Sequence, residues 1–262
     1  MPLRIAVLGA GGRMGQAVLA AIADSDDAML AGALVRPGSQ HVGQPASADV
    51  AYTDQPVGAL DSAEIVIDFT LPEAFNSNIS ACLEARCPLV VGTTGLSSAQ
   101  SNRLREIGRE LPVVWSPNMS VGVNLCFRLA QLAAGTLSTD YDAEILDVHH
   151  RYKRDIPSGT ALQFGEQIAG ARSQKLDDVM EFRTPGKHRQ RHRGAVGMSA
   201  IRAGAEPGSH TVSFISESET VEIRHRAAHR GAYADGALRA ARWLAGRPVG
   251  LYSMADVLGF PA

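Results

Sequence analysis

The chain has 262 residues, of which 45% are hydrophobic and 20% charged, and this composition excludes a disordered chain, a collagen-like repeat and a small disulfide scaffold. With 25 Lys and Arg against 27 Asp and Glu, the formal net charge is −2, so no overall positive field draws the chain to nucleic acid or to an anionic membrane. Three cysteines without metal-ligand spacing, and no signal-peptide pattern at the N-terminus, predict a soluble cytoplasmic protein.

Short β-branched runs alternate with helix-period segments through the first 120 residues. The predicted strands cover residues 5–8, 29–36, 64–69, 88–91 and 112–115, and the predicted helices between them cover 14–23, 72–85 and 97–110. Strands separated by helices form parallel βαβ units. This part of the chain is therefore predicted to be α/β, with a Rossmann-type doubly wound parallel sheet.

The pattern changes after about residue 120. A helix is predicted at 121–135, a strand at 143–149, a helix starting near residue 159, and further strands at 198–202, 211–215 and 220–226. Successive strands with little helix between them predict a second, α+β domain with a mixed sheet. A last helix at 234–245 is of the kind that packs back on a first domain. We therefore predict one domain of residues 1–120 completed by 231–262, and another of residues 121–230.

The glycine-rich segment of residues 9–15 follows the first strand and opens the first helix. Glycines let the backbone approach a pyrophosphate, and the amides of the helix start attract it. Gly9 and Gly11 match the dinucleotide-binding spacing, but Gly15 comes one residue late. A tight strand-to-helix turn needs glycines for steric reasons alone. The order of strand, loop and helix favours a dinucleotide site.

Other strand ends support this interpretation. Small, hydroxyl-bearing or turn-forming residues follow four of the predicted strands, at 35–36, 68–70, 92–95 and 116–119. In open α/β sheets, ligands bind beyond the carboxyl ends of the strands. Such residues also merely terminate strands, but four ends together favour a nucleotide site.

The stretch of residues 147–160 combines acid–base groups with a helix start. His149, His150 and Lys153 supply proton carriers and fixed cations, and hydroxyls and amides at residues 158–160 suit a carboxylate. The pattern predicts a small acidic substrate, the alternative being a solvated basic turn. Zinc is disfavoured because neither cysteine nor HExxH spacing accompanies the histidines.

A second basic run covers residues 187–193 and is flanked by Gly and Pro. It is most simply a surface loop. Nucleic-acid binding is the sharper alternative, but aromatic residues do not interleave with the charges and the net charge of the chain is negative. We therefore expect no nucleic-acid partner and no membrane partner.

At these residues the chain closely resembles the 4-hydroxy-tetrahydrodipicolinate reductase family, over essentially its whole length. The HHxxKxDxPSGTA pattern at 149–161 is very specific to that family, whereas the glycine loop is not. The resemblance implies NAD(P)H-dependent reduction of 4-hydroxy-tetrahydrodipicolinate to tetrahydrodipicolinate with loss of water, in diaminopimelate and lysine biosynthesis. It also implies that the first domain binds the dinucleotide, and that residues 121–230 bind the dicarboxylate substrate and build a homotetramer.

The resemblance also implies site residues. His149 corresponds to the proton donor and acceptor and Lys153 to a proton donor, while His150, Gly159 and Thr160 correspond to substrate-binding residues. The implied cofactor-binding residues are Gly9, Ala10, Gly11, Gly12, Arg13, Met14, Arg36, Gly92, Thr93, Thr94, Ser116, Pro117, Asn118 and Met119. A metal is not expected.

The residues after the second strand bear on the choice of cofactor. NAD-preferring folds place an acid about twenty residues past the glycine loop, where it binds the ribose hydroxyls. Some family members carry an acid there, but this chain has Val35 followed by Arg36. A guanidinium suits a 2′-phosphate, so we expect NADPH to be preferred, with residual use of NADH. The alternative is that Arg36 is a solvated strand-end residue.

Two other functions compete with this one. Another Rossmann oxidoreductase of a small acid, such as an amino-acid or semialdehyde dehydrogenase, is the first. A semialdehyde dehydrogenase needs a nucleophilic cysteine, but Cys82 and Cys126 fall inside predicted helices and Cys87 just before a proline. A non-catalytic NADP(H)-sensing protein is the second, and it has no use for the His149 and Lys153 pair.

Overall fold

The computed structural model describes residues 1–182 and 190–260 of the chain. In these residues the strands are β1 (Leu3–Leu8), β2 (Ala28–Leu34), β3 (Tyr52–Thr53), β4 (Ile65–Asp68), β5 (Leu89–Val91), β6 (Pro112–Trp115), β7 (Asp142–His149), β8 (Met180–Phe182), β9 (Val196–Arg202), β10 (Ser209–Ile215), β11 (Thr220–Arg226) and β12 (Gly250–Tyr252).

The α-helices of the same residues are α1 (Arg13–Ala23), α2 (Pro56–Leu60), α3 (Phe75–Glu84), α4 (Ser98–Ile107), α5 (Val121–Leu137), α6 (Gly159–Ala171), α7 (Leu176–Val179), α8 (Gly231–Leu244) and α9 (Met254–Leu258). Short 3₁₀ turns lie at Pro72–Ala74 and Ser138–Asp140. Among the helices described, none is both long and apolar enough to cross a membrane.

The chain divides into two compact units. Unit 1 comprises Met1–Val121 and Arg230–Ala262, and unit 2 comprises Gly122–His229. The last helices of the chain, α8 and α9, thus belong with the N-terminal residues.

Unit 1 is built on a parallel sheet. Its described strands lie in the order β3-β2-β1-β4-β5-β6-β12, which is the order of a dinucleotide-binding fold with one added strand. The central strands β1, β4 and β5 are apolar at successive positions because helices cover both faces of the sheet. Helices α1, α8 and α9 pack on one face, around Val18 and Ala241, and α3 and α4 pack on the other, around Ile79 and Leu104. The predicted doubly wound sheet is confirmed.

Unit 2 is built on a mixed sheet. Its described strands lie in the order β11-β10-β7-β9-β8, with β10 antiparallel to both neighbours and β7, β9 and β8 mutually parallel. Helices α5 and α6 cover one face, where the rings of Phe127 and Phe164 meet edge to face with centroids 4.6 Å apart. Along β7 buried and half-buried residues alternate strictly, as expected for a strand with one covered face. The predicted α+β domain with a mixed sheet is confirmed.

Every strand and helix predicted from the sequence is present, with ends shifted by a few residues. The predicted helix at 72–85 is a 3₁₀ turn followed by α3, and the predicted strand at 29–36 ends at Leu34, which leaves Val35 and Arg36 in the following loop. The prediction missed β3, α2, α7, β8, β12 and α9. All of these have two to five residues, too few for a hydrophobic period to be read.

Gly236 sets how closely α8 packs in unit 1. A Cβ at this position would lie 1.7 Å from the carbonyl oxygen of Met119, which is backbone that cannot rotate away. We predict that Gly236→Ala lowers the free energy of unfolding of unit 1 by about 1–3 kcal/mol. The measurement is denaturant unfolding followed by tryptophan fluorescence, since Trp115 and Trp243, the two tryptophans of the chain, both lie in unit 1.

The matched control is Gly58→Ala in the exposed part of α2, where a Cβ would meet nothing within 4 Å. It is expected to leave stability unchanged or to raise it by up to about 1 kcal/mol, because alanine restricts the unfolded chain. Equal stability of the two variants would show that α8 tolerates the extra carbon.

Candidate active site

The glycine loop lies at the carboxyl end of β1. Gly9 has a positive φ of 78°, and the amides of Gly9 and Ala10 both donate to the carbonyl of Leu34, at 3.0 and 2.9 Å, which ties the loop to the end of β2. A Cβ on Gly15 would lie 2.2 Å from the carbonyl oxygen of Gly9. Gly15 is therefore the glycine that lets α1 pack against the loop, although it comes one residue late in the pattern.

The start of α1 offers an anion site. Its N-cap residue is Gly12, so no side chain caps the first turn, which begins with Arg13 and Met14. A helix start of this kind presents backbone amides and the positive end of the helix dipole. The loop and helix start therefore fit the pyrophosphate of a dinucleotide.

The strand ends next to the loop carry the other cofactor residues of the prediction. Arg36 is exposed just beyond β2, whereas Val35 is buried. His41 was not predicted from the sequence, yet its ring packs on the glycine loop: a Cβ on Gly11 would lie 2.9 Å from His41 Cδ2 and 3.1 Å from Val35 Cγ1. Arg36 and His41 thus place two basic side chains in the loop that follows β2.

The side chains after β5 and β6 differ in exposure. Thr94 and Pro117 are exposed and Gly92 and Asn118 half-buried, which suits contact with a ligand. By contrast Thr93, Ser116 and Met119 are buried. The Ser116 hydroxyl donates to the carbonyl of Asn118 at 2.7 Å, and Met119 belongs to the core that includes α8. Little of these three residues is therefore accessible to a dinucleotide.

Asp68 organises this edge of the sheet. It ends β4 and is fully buried, and its carboxylate accepts hydrogen bonds from the Thr70 amide at 2.7 Å and the Asn78 amide group at 3.1 Å. The Thr93 hydroxyl lies 3.5 Å away. Burial raises the pKa of Asp68, although these hydrogen bonds oppose the rise. The carboxylate thus holds the loops after β4 and β5 in place.

In unit 2, a network of buried polar groups surrounds the first histidine of the predicted site. Asp147 and His149 lie two residues apart on β7, so they share the face of the sheet that α5 and α6 cover. Nδ1 of His149 lies 2.6 Å from Oδ1 of Asp147. The residues are 8% and 1% exposed, respectively. One nitrogen of the imidazole is therefore turned to a carboxylate inside the protein.

The neighbouring strands complete the network. Arg202 on β9 pairs in register with His149, and His210 on β10 pairs with Asp147. Oδ2 of Asp147 accepts from an Arg202 guanidinium nitrogen at 2.8 Å and from the amide of Ser158 at 2.7 Å. Nε2 of His210 lies 3.1 Å from the Ser158 hydroxyl and 3.5 Å from Oδ1 of Asp147. Oδ2 of Asp147 thus accepts two hydrogen bonds, whereas Oδ1 lies close to both histidines without a hydrogen bond of good geometry.

Burial acts differently on the two titratable groups beneath His149. Burial alone would raise the pKa of Asp147, but hydrogen bonds from His149, His210, Arg202 and the Ser158 amide outweigh it and hold that pKa well below its ordinary value. The pKa of His210 is lowered, first because of burial, although Asp147 opposes the shift. The network therefore contains an ionised Asp147 and favours a neutral His210.

The donor set of Asp147, His149 and His210 is of a kind that binds metal ions. However, two ligands at tetrahedral zinc lie roughly 3.3 Å apart when each is about 2 Å from the ion. The 2.6 Å separation of Asp147 Oδ1 and His149 Nδ1 is a hydrogen-bond distance. Arg202 already balances the carboxylate charge, so the geometry is that of an ion-paired polar cluster.

The remaining predicted substrate residues follow β7 directly. The amide of His150 donates to the Glu206 carbonyl at 2.8 Å, and the amide of Lys153 donates to the His150 carbonyl at 3.1 Å. The Lys153 ammonium lies 2.9 Å from a carboxylate oxygen of Asp155. Burial would raise the pKa of Asp155, but its contact with Lys153 outweighs this and lowers it. Lys153 is thus held by contacts at both its backbone and its side chain.

Gly159 and Thr160 form the first turn of α6. The Ser158 hydroxyl caps this helix by accepting from the amide of Ala161 at 3.2 Å, and it is buried beside His210. Gly159 is exposed and Thr160 half-buried. The Ser158 hydroxyl therefore serves as the helix cap. In this segment the first turn of α6 reaches the surface.

The structure thus divides the predicted residues between the two units. The predicted cofactor residues all lie at the carboxyl edge of the sheet of unit 1, and His149, His150, Lys153, Gly159 and Thr160 all lie in unit 2.

Asp147, Arg202 and His210 were missed. The spacing of two between Asp147 and His149 on a predicted strand was a usable signal, whereas Arg202 and His210 required knowledge of the strand register.

The second basic run lies partly outside the described residues, since 187–189 are not among them. Arg191 is anchored, with its Nε 3.0 Å from a carboxylate oxygen of Asp142 and a guanidinium nitrogen paired with Glu144. Arg193 pairs with Asp140. The described residues 190–193 lie outside the helices and strands and three of the four are exposed, which fits the expected surface loop, and acidic residues at and before the start of β7 bind Arg191 and Arg193.

The cysteines do not resemble activated nucleophiles. Burial raises the pKa of Cys87 to about 12, and burial also raises the pKa of Cys82 and of Cys126. A reactive cysteine requires a lowered pKa and an electropositive, accessible setting. These thiols therefore disfavour a semialdehyde dehydrogenase mechanism.

Family models match nearly the whole chain. The model described as dihydrodipicolinate reductase, N-terminus, matches residues 3–119, and the one described as dihydrodipicolinate reductase, C-terminus, matches residues 122–258.

Curated relatives match over their full length. A 4-hydroxy-tetrahydrodipicolinate reductase of Thiobacillus denitrificans is 44% identical over 99% of this chain and 99% of its own. Another of Burkholderia thailandensis is 46% identical over 98% of each chain.

Solved structures share the fold. A dipicolinate-bound dihydrodipicolinate reductase from Paenisporosarcina sp. TG-14 matches with a TM-score of 0.79 at 21% identity, over 98% of this chain and 99% of that one. A probable dehydrogenase from Thermotoga maritima matches with a TM-score of 0.66 at 12% identity, over 97% of this chain and 92% of that one.

Proposed function

The chain belongs to the dihydrodipicolinate reductase family, and we propose that it reduces 4-hydroxy-tetrahydrodipicolinate with NAD(P)H in diaminopimelate and lysine biosynthesis. The observation that carries the proposal within the site is His149, held by a buried carboxylate and followed by Lys153 and the start of α6. Substrate, NAD(P)H and one proton give tetrahydrodipicolinate, NAD(P)⁺ and water.

The first turn of α6 is proposed to bind a carboxylate of the substrate. Backbone amides and a hydroxyl at a helix start suit an anion, and Gly159 and Thr160 supply them. His150 and Lys153 add basic groups from the preceding segment. Together these groups support a small dicarboxylate as the substrate. They also favour the negative charge that develops on the ring during reduction.

His149 is proposed to exchange a proton with the substrate. Its Nδ1 faces Asp147, which leaves Nε2 as the nitrogen that carries the transferred proton. A nicotinamide cofactor, when bound, would supply the hydride. Loss of the 4-hydroxyl as water removes one proton from the adjacent ring carbon, and reduction returns one proton to that carbon, so the net uptake is one proton. His149 and Lys153 are proposed to carry these protons. Lys153 is already held through its backbone amide, so its ammonium is presented from a fixed segment.

NADPH is proposed as the preferred cofactor, with residual use of NADH. The loop after β2 carries Arg36 and His41 and has Val35 where an acid would bind ribose hydroxyls. A guanidinium forms charge-assisted, bidentate contacts with a phosphate. The guanidinium of Arg36 thus favours the 2′-phosphate.

We also propose that the protein works as a homotetramer in the cytoplasm. The face of the unit 2 sheet opposite α5 and α6 carries Leu146, Val148, Ile201 and Ile215, of which the last two are exposed. Polar residues such as Glu144 and Ser213 lie on the same face. A mixed sheet face of this kind is suited to a second copy of the chain, because protein interfaces are about as polar as the rest of the surface. A partner sheet would cover it without disturbing the His149 network on the other face.

Replacing the proposed proton carrier tests the mechanism. We predict that His149→Gln lowers kcat about 10²–10⁴-fold, the usual contribution of general acid–base catalysis, and leaves NADPH affinity nearly unchanged. The measurement is NADPH oxidation with substrate freshly made from pyruvate and aspartate semialdehyde. His192→Gln, at an exposed histidine outside the site, serves as the control. Full kcat in His149→Gln would remove His149 from the reaction.

Thr160 tests the carboxylate site. Thr160→Val is predicted to raise the substrate KM about tenfold, with a smaller effect on kcat, because a hydrogen bond to a charged group is lost in ground and transition states alike. Thr160→Ser keeps the hydroxyl and is expected to retain a KM near that of the unmodified chain. Unchanged kinetics in the valine variant would leave residues 158–160 with a capping role alone.

Arg36 tests the cofactor preference. The unmodified chain is predicted to have the higher kcat/KM with NADPH, and Arg36→Ala is predicted to lower the NADPH/NADH ratio of kcat/KM about tenfold or more, the effect of one charge-assisted contact. Arg105→Ala, on the exposed side of α4, is the control. A preference for NADH, or a ratio unaffected by Arg36→Ala, would contradict the assignment.

A further inference from the structure

We propose that Asp147 is the positioning residue of the site: it holds the His149 imidazole with Nδ1–H toward its carboxylate, so that Nε2 is presented to the substrate. This inference rests on the proposed role of His149. The carboxylate lies behind the ring, on the same face of β7, with 2.6 Å between Oδ1 and Nδ1. The two atoms are close but do not meet hydrogen-bond geometry in this structure, so the observation is the short separation itself. An ionised carboxylate accepts a hydrogen bond and does not donate one, so at this separation it favours the tautomer with hydrogen on Nδ1.

The carboxylate of Asp147 is itself held in one orientation. Its Oδ2 accepts from Arg202 at 2.8 Å and from the Ser158 amide at 2.7 Å. Arg202 is fixed in turn, since the same guanidinium nitrogen donates to the carbonyl of Asp155 at 2.7 Å. With one oxygen bound on the far side, rotation of the carboxylate away from His149 would break two hydrogen bonds. Asp147 thus provides a rigid acceptor.

His210 closes the remaining side of the carboxylate. Its ring stands edge-on to that of His149, with centroids 5.1 Å apart, and its Nε2 reaches the Ser158 hydroxyl. Burial lowers the pKa of His210, which favours its neutral form. In that form His210 places no positive charge beside His149. Among the described residues, other charged or titratable groups around the network include Arg202 on β9, Lys153 and Asp155 after β7, and His225 on β11.

A purely structural role for Asp147 makes a different prediction. If the carboxylate served only to neutralise buried Arg202, its loss would destabilise the fold without changing the chemical step. If it orients His149, its loss slows proton transfer in protein that is still folded. A carboxylate that orients a catalytic histidine in this way sets its tautomer, and the amide replacement impairs catalysis while the geometry stays intact. The two roles are therefore separable by experiment.

The test compares Asp147→Asn with Asp142→Asn in the full-length protein. Both aspartates lie on β7 and each pairs with an arginine, but Asp142 pairs with Arg191 and lies on the opposite face from His149. Asp147→Asn is expected to lower kcat about ten- to hundredfold, with substrate KM and NADPH affinity within about twofold of the unmodified chain. Asp142→Asn is expected to keep kcat.

Isotope effects identify the step that slows. In Asp147→Asn the solvent deuterium isotope effect on kcat is expected to rise, and the effect of deuterium at the transferred position of NADPH to fall, because proton transfer becomes limiting. A loss of kcat with both isotope effects unchanged would contradict the proposal, as would unchanged kcat in Asp147→Asn when His149→Gln is impaired. Full kcat in His149→Gln would instead overturn the role of His149 itself.

A double variant covers the case in which unpaired Arg202 unfolds the chain. Asp147→Asn combined with Arg202→Met removes both buried charges, a change that proteins often tolerate without loss of stability. We expect this variant to melt near the temperature of the unmodified chain and still to show the low kcat and the raised solvent isotope effect. Recovery of kcat in the double variant would show that Asp147 serves only to neutralise Arg202.

Discussion

The contact between the carboxylate of Asp147 and the imidazole of His149 is the interaction on which the proposed chemistry depends. It works only because the carboxylate stays ionised in a buried place, and it stays ionised because Arg202, the Ser158 amide and His210 surround it. Strands β9 and β10 and the start of α6 each contribute one of these groups, and β7 carries Asp147 and His149 themselves. The mixed sheet of unit 2 thus brings these groups together. The apolar core on the same face surrounds them with a low-dielectric environment, which strengthens their electrostatic interactions.

The two units use buried carboxylates at strand ends in opposite ways. Asp68 ends β4 and is bound by neutral donors alone, so burial raises its pKa, and it serves to hold the loops that follow β4 and β5. Asp147 has a guanidinium partner and a lowered pKa, so it keeps a negative charge beside the proposed proton carrier. Uncharged donors around a carboxylate suit a role in holding loops in place, whereas a carboxylate that is kept ionised suits a role beside an acid–base group.

The sequence allowed the long elements to be predicted because their hydrophobic periods are clear, and strand alternation with helices identified the parallel sheet. The motif residues at 149–161 also located the candidate site before the structure. Arg202 and His210 could not be found in this way, since they lie more than fifty residues from His149 and meet it only through strand register. The role of Gly15 was hidden for a related reason: its contact with the Gly9 carbonyl depends on how α1 leaves the loop.

The central claim, that a buried carboxylate fixes His149 with one nitrogen toward the substrate, is tested most directly by a high-resolution crystal structure of the protein with NADP⁺ and dipicolinate. The account predicts that Nδ1 of His149 remains within hydrogen-bond distance of Asp147 while Nε2 faces the ring of the ligand, and that the carboxylate of the ligand lies at Gly159 and Thr160. A His149 ring turned away from the ligand, or separated from Asp147 when the ligand binds, would contradict it.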